Sequence, residues 1–149
     1  MKKRMTIGSL DRVDLLELNL SNVTAKSDNL SHFSKLYCED IKEVIVRGQK
    51  KVNFWISYQE SGARLTRKYS FFNYAKSTEH TTDGKKVAQF MIQTTIVLFN
   101  QLFVIDFLLV KQYNLSEVVV LGNEFLDEQF ILDPKRINLS YDHKNQLRI

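Results

Sequence analysis

Three histidines, one cysteine and a short acidic run are the residue types in this chain best suited to chemistry. His32, His80 and His143 lie far apart, and none stands in an HExxH, HxH or Cys/His spacing that would gather imidazoles around a metal. They read as surface histidines. Cys38 is followed by Glu39 and Asp40, whose like charge disfavours a thiolate, the reverse of an activated nucleophile. As the only cysteine it can form neither an internal disulfide nor a thiolate cluster. Glu124, Asp127 and Glu128 have i, i+3, i+4 spacing, which on a helix puts three carboxylates on one face. Such a face could hold a divalent cation, but it reads first as a solvated helical surface. Gly122-Asn123 lacks the further glycines of a phosphate-cradling loop. No catalytic residue, metal or cofactor is therefore assigned.

The stronger signal is a charge pattern. Between Val44 and Lys86 there are nine basic residues (Arg47, Lys50, Lys51, Arg64, Arg67, Lys68, Lys76, Lys85, Lys86) against three acidic ones (Glu60, Glu79, Asp83). The whole chain carries only +4, so the remainder is slightly acidic. The same stretch holds Phe54, Trp55, Tyr58, Tyr69, Phe71, Phe72 and Tyr74. Cations interleaved with rings on a sheet suit single-stranded nucleic acid, because the cations neutralise phosphates while the rings stack on unpaired bases. Arg47, Lys50, Lys51, Trp55, Arg64, Arg67 and Lys68 are the candidate contacts. The competing reading is a solvated basic face with Trp55 packed under a neighbouring strand.

A hairpin must position those residues. Val52 to Gln59 and Arg64 to Tyr74 are strand-like, and Glu60-Ser61-Gly62-Ala63 between them supplies a turn glycine. Pairing Tyr58 with Leu65 sets Phe54 opposite Tyr69 and Ile56 opposite Arg67 on a core side. It sets Trp55 opposite Lys68 and Ser57 opposite Thr66 on a polar side. Elsewhere, Val13 to Thr24 alternates Leu16, Leu18 and Leu20 with polar residues as one half-buried strand. Lys26 to Lys35 reads as a loop and Ile41 to Arg47 as a strand ended by Gly48.

Phe90 to Val110 is apolar with a single charge, Asp106, and Gln93, Thr94, Thr95, Asn100 and Gln101 make a membrane span unfavourable. It reads as a long buried helix reaching about Tyr113, capped at its start by Ser77, Thr78 or Asp83 and closed by Asn114. The rival reading breaks it at Asn100-Gln101 into two buried strands. Glu117 to Leu121 is then a short apolar strand, Gly122 to Leu132 a loop or short helix, and Ile137 to Tyr141 a last strand, with a frayed tail over 142–149.

Strands, one long helix and short C-terminal strands predict an α+β fold, a mostly antiparallel sheet covering one face of the helix. Over Val52 to Phe130 this element order resembles ribonuclease H-like folds. That resemblance implies acidic residues on the first strand, on the helix and after the next strand. The matching places hold Ile56 or Ser57, an apolar and amide helix surface, and Asn123. Two-metal cleavage is therefore not expected.

At 149 residues, 44% apolar and 26% charged, the chain matches one ordinary domain, 1–149, and excludes whole-chain disorder. Asp11, Arg12 and Asp14 interrupt any signal-peptide core, so a cytoplasmic location is expected. The Asn-x-Ser/Thr sites at Asn19, Asn22, Asn29, Asn114 and Asn138 then reflect composition. The functional expectation is a non-catalytic interaction module, regulatory, adaptor or assembly, that contacts another protein chain. A homo-oligomer would cover the apolar run. The alternative is a nucleic-acid-binding module using 44–86.

Overall fold

A computed structural model describes residues 4–111 and 117–146. The chain is built almost entirely of strands: β1 (Met5–Leu15), β2 (Leu20–Asp28), β3 (Ser34–Val46), β4 (Gln49–Glu60), β5 (Ala63–Phe71), β6 (Ala75–His80), β7 (Lys86–Leu98), β8 (Gln101–Lys111), β9 (Val119–Gly122) and β10 (Phe130–Ile137). Two short helices, α1 (Asn123–Gln129) and α2 (Leu139–Gln146), complete the described residues. Strands pair in the ring β1-β2-β9-β3-β8-β7 and back to β1, which closes a six-stranded barrel.

The expected α+β fold with one long buried helix is therefore wrong, and with it the likeness to ribonuclease H. Phe90 to Val110 forms two strands, as the rival reading had it, but the turn residues are Phe99-Asn100. Both have positive φ, 53° and 58°, which is what a two-residue type I′ hairpin needs. Phe90, Ile92, Thr94, Ile96 and Leu98 face the core from β7, and Ile105, Phe107 and Leu109 do so from β8. That period of two was masked because Met91, Val97, Leu102, Val104 and Leu108, on the opposite faces, are also apolar. Of the proposed helix caps, Ser77 and Thr78 lie in β6 and Asp83 in a turn, while Asn114 falls outside the described residues. The core-facing half of the apolar run is covered by the chain itself, whereas Leu102 and Val104 stay exposed.

Other boundaries change: the loop expected over Lys26 to Lys35 narrows to 29–33, because β2 runs to Asp28 and β3 starts at Ser34 rather than Ile41. The single strand expected over Val13 to Thr24 is the end of β1, a turn at 16–19 and the start of β2, with Asn19 (φ 52°) turning the chain. In place of the expected last strand and the first part of the expected frayed tail are β10 and then α2, which runs through 142–146, while 147–149 lie outside the described residues. Asp11 holds α2 in place: its buried carboxylate accepts hydrogen bonds from the backbone N–H of Ser140 (2.8 Å) and Tyr141 (3.1 Å). Burial pushes the Asp11 pKa up, against the pull of those donors and of the Arg12 N–H. Ser140 Oγ in turn accepts the Phe99 N–H at 2.8 Å, tying the β7–β8 turn to the same helix.

The β4–β5 hairpin has the expected register, Tyr58 with Leu65, Phe54 with Tyr69 and Trp55 with Lys68. It belongs to an arm formed with the outer half of β3. At Asp40 (φ 51°) β3 bulges and leaves the barrel to pair with β4. The arm's inner face, Val52, Phe54, Ile56 and Tyr58, is buried, and Phe54 stacks on Tyr69 with centroids 5.6 Å apart. Tyr69 Oη donates to the Leu18 carbonyl and an Arg67 guanidinium N–H to that of Asn19, both at 2.8 Å, which fixes the arm over the β1–β2 turn.

Candidate interaction surfaces

The arm's outer face carries part of the expected basic and aromatic cluster. Odd positions of β4 and even positions of β5 point outward, so Lys51, Asn53, Trp55 and Ser57 lie beside Arg64, Thr66, Lys68 and Ser70. Lys68 Nζ sits 6.0 Å from the Trp55 ring centroid and Lys51 Nζ 5.9 Å from that of Phe72, so two cation–aromatic pairs share the surface. Trp55 is half-buried and Phe72 is 60% exposed.

The remaining candidates go elsewhere. Lys50 and Arg67 are on the opposite face, where Arg67 lies over Tyr58, and Arg47 is in the β3–β4 turn at φ 52°. Arg64 is on the right face but pairs with Glu39 at 3.1 Å. Lys76, in the same basic third, pairs with Glu43 at 2.9 Å. Glu43 also accepts from Tyr74 Oη at 2.6 Å, and this bond holds the Tyr74 pKa up at about 12.

A second surface was invisible from sequence because it depends on β8 being a strand. Leu98 and Gln101 close a two-residue hairpin, so they form a hydrogen-bonded pair, and Phe103 and Ile105 continue that set with β7. The backbone groups of Leu102, Val104 and Asp106 therefore point away from β7. On that side β8 pairs with β3 only from Phe107 onward. Among the described residues, Leu102 to Asp106 is an open sheet edge. Beside it lies α1, and between them is a cleft of about 350 Å³ lined by Leu102, Phe103, Val104, Phe125 and the carboxylates of Asp106, Glu124 and Glu128. Leu102 and Val104 are 66% and 65% exposed.

Position α1 explains the cleft. The N–H groups of Asn123 and Glu124 donate to the carbonyls of Ser31 and His32, and Gly122 donates to Ser34 Oγ at 2.9 Å. A Cβ on Gly122 would stand 2.5 Å from the Phe33 carbonyl, so only glycine permits this approach. Asp127 accepts from the side-chain amide of Asn123, and its backbone carbonyl from Arg4 at 2.9 Å. Among the described residues no three His, Cys, Asp or Glu side chains converge as a metal site would require, and Glu124, Asp127 and Glu128 do not. His32 lies in the loop before β3, His80 at the end of β6 and His143 in α2. Burial pushes the Cys38 thiol pKa far up, which leaves it inert. No described helix is long and apolar enough to cross a membrane.

No protein family and no curated protein is matched by the sequence. The fold is similar to the crystal structure of Lpg0085 from Legionella pneumophila, a DUF785 protein of unknown function, with a TM-score of 0.64 and 15% identity over 93% of this chain and 99% of that one. At that identity the likeness establishes a shared fold, a strand-built barrel, and nothing about activity.

Proposed function

We propose that this chain is a non-catalytic interaction module that works by contacting another protein, with the β8 edge and α1 as its working surface. The observation that carries the reading is the state of the sheet edges. Natural sheets guard open edges with charges or proline. Here β5 presents Arg64, Arg67 and Lys68, β6 presents Lys76 and Glu79, and β10 presents Pro134, Lys135 and Arg136. Leu102 to Ile105 has no such guard and shows aliphatic side chains to solvent instead.

A photo-crosslinking residue at Leu102, introduced in the native host, tests this. A discrete protein adduct that is absent when the crosslinker stands at exposed Gln59 supports the reading. Absence of any adduct at Leu102 overturns it. An adduct of doubled chain mass would identify the partner as a second copy.

The paired cations and rings on the arm favour a second reading, binding of single-stranded nucleic acid. Trp55→Ala together with Lys68→Ala should weaken oligonucleotide binding at least tenfold at low salt, and binding should fall steeply with added salt. An unchanged titration removes this reading.

A further inference from the structure

We propose that the occupant of the β8–α1 cleft is an extended, basic segment of a partner protein, added as a further strand beside Leu102 to Asp106. This rests on the interaction-module reading and specifies its partner.

Three features point to the same occupant. The backbone N–H and C=O groups of Leu102 and Val104 and the N–H of Asp106 face the cleft in the alternation a neighbouring strand requires, while the Asp106 carbonyl is taken by the pairing with Ser34; a strand placed there would lie about 4.8 Å from β8. A helix or a rounded surface could not satisfy that row, whereas an extended chain satisfies it with its own backbone. The far wall is α1, whose Phe125 ring meets that of Phe103 with centroids 5.3 Å apart. The charge is one-sided: Asp106, Glu124 and Glu128 line the cleft with no basic residue among its lining groups. Of these, Asp106 accepts one hydrogen bond, from Gln93 at 3.2 Å, and no described cation pairs with any of the three. A chain carrying lysine or arginine at alternate positions would meet these carboxylates. Its intervening aliphatic side chains would rest on Leu102, Val104 and Phe125. This chain is itself basic overall, so the acidic cleft is a local exception that selects against acidic segments.

The probe is a fluorescein-labelled peptide, acetyl-Lys-Val-Lys-Val-Arg-Val-Lys-amide, titrated by anisotropy with the whole protein at low and moderate salt. Saturable binding is expected, with at least tenfold weaker binding of the Glu-Val counterpart peptide. Val104→Pro should weaken binding at least tenfold. The Val104 N–H is not used in pairing with β7, so the variant should keep its fold, which a melting curve checks. Methylating alternate peptide nitrogens should abolish binding for one of the two alternate sets and change it less than twofold for the other, a signature only strand addition gives. Glu124→Gln with Glu128→Gln should weaken binding several-fold and flatten its salt dependence.

Absence of saturable binding overturns the proposal. So does equal binding by the acidic peptide, by Val104→Pro or by both methylated sets. If these fail while the Leu102 crosslink survives in Val104→Pro, the module reading stands and the strand-addition inference alone falls.

Discussion

Phe107, Ile92 and Ile96 inside the barrel are sealed from solvent, while Thr66, Lys68 and Ser70 on the outer face of the arm stand open to it. The two regions share β3, one half of which closes the barrel and the other half of which carries the arm. In the barrel, side chains are held by neighbours on all sides, so their identity is set by volume. On the arm's outer face they are free of that demand, and Trp55 with Lys68 and Phe72 with Lys51 answer to one another and to solvent. The difference separates residues that build the molecule from residues available to work for it.

Breaking the barrel should have the largest effect. Phe107→Ala removes a fully buried ring and is expected to cost about 3–5 kcal/mol, seen as a large fall in the midpoint of chemical denaturation. On the arm, Trp55→Ala should shift that midpoint far less, because the ring is only half-buried. Equal losses at the two positions would erase the distinction.

The smallest effect probes the joint between β1 and β7. Partial desolvation disfavours the charged Glu17 carboxylate and would raise its pKa. Hydrogen bonds from Thr94 Oγ1 (2.5 Å), the Thr95 N–H (2.6 Å) and Thr95 Oγ1 (2.7 Å) outweigh that and hold its pKa at about 2, below the usual 4.5. A pKa depressed in the folded chain means stability present above the ordinary carboxylate range and lost as pH falls through 4.5 towards 2. Glu17→Gln should therefore melt slightly below the parent at pH 7, with the gap closing over that window. A gap independent of pH would show that the carboxylate's charge has no part in the joint.

The arm was legible in the sequence because its residues alternate cleanly in type. Phe54, Ile56 and Tyr58 are apolar, and their neighbours Asn53, Ser57 and Gln59 are polar, so periodicity and turn chemistry gave the register to the residue. The barrel wall was not legible. β7 and β8 carry apolar side chains on both faces, and on a helical wheel Val104 falls beside Gln93, Asn100 and Gln101 on a plausible polar side. The cleft was lost with it, since an open edge has meaning only once Leu102 to Asp106 is known to be extended. The acidic triplet on α1 was visible as a solvated face, but only the structure shows that Glu124 and Glu128 line a cleft opposite β8.

Strand β9 has a consequence for how the molecule is made. It lies between β2 and β3, pairing in parallel with the first and antiparallel with the second, although those two are consecutive in the chain. During synthesis β2 and β3 emerge early and have no direct ladder to each other, and the strand that joins them arrives after β4 to β8 have followed. Assembly of the barrel cannot proceed in the order of translation. The seam between β2 and β3 stays open until Val119 to Gly122 is inserted, and the wait sets a lower bound on folding time.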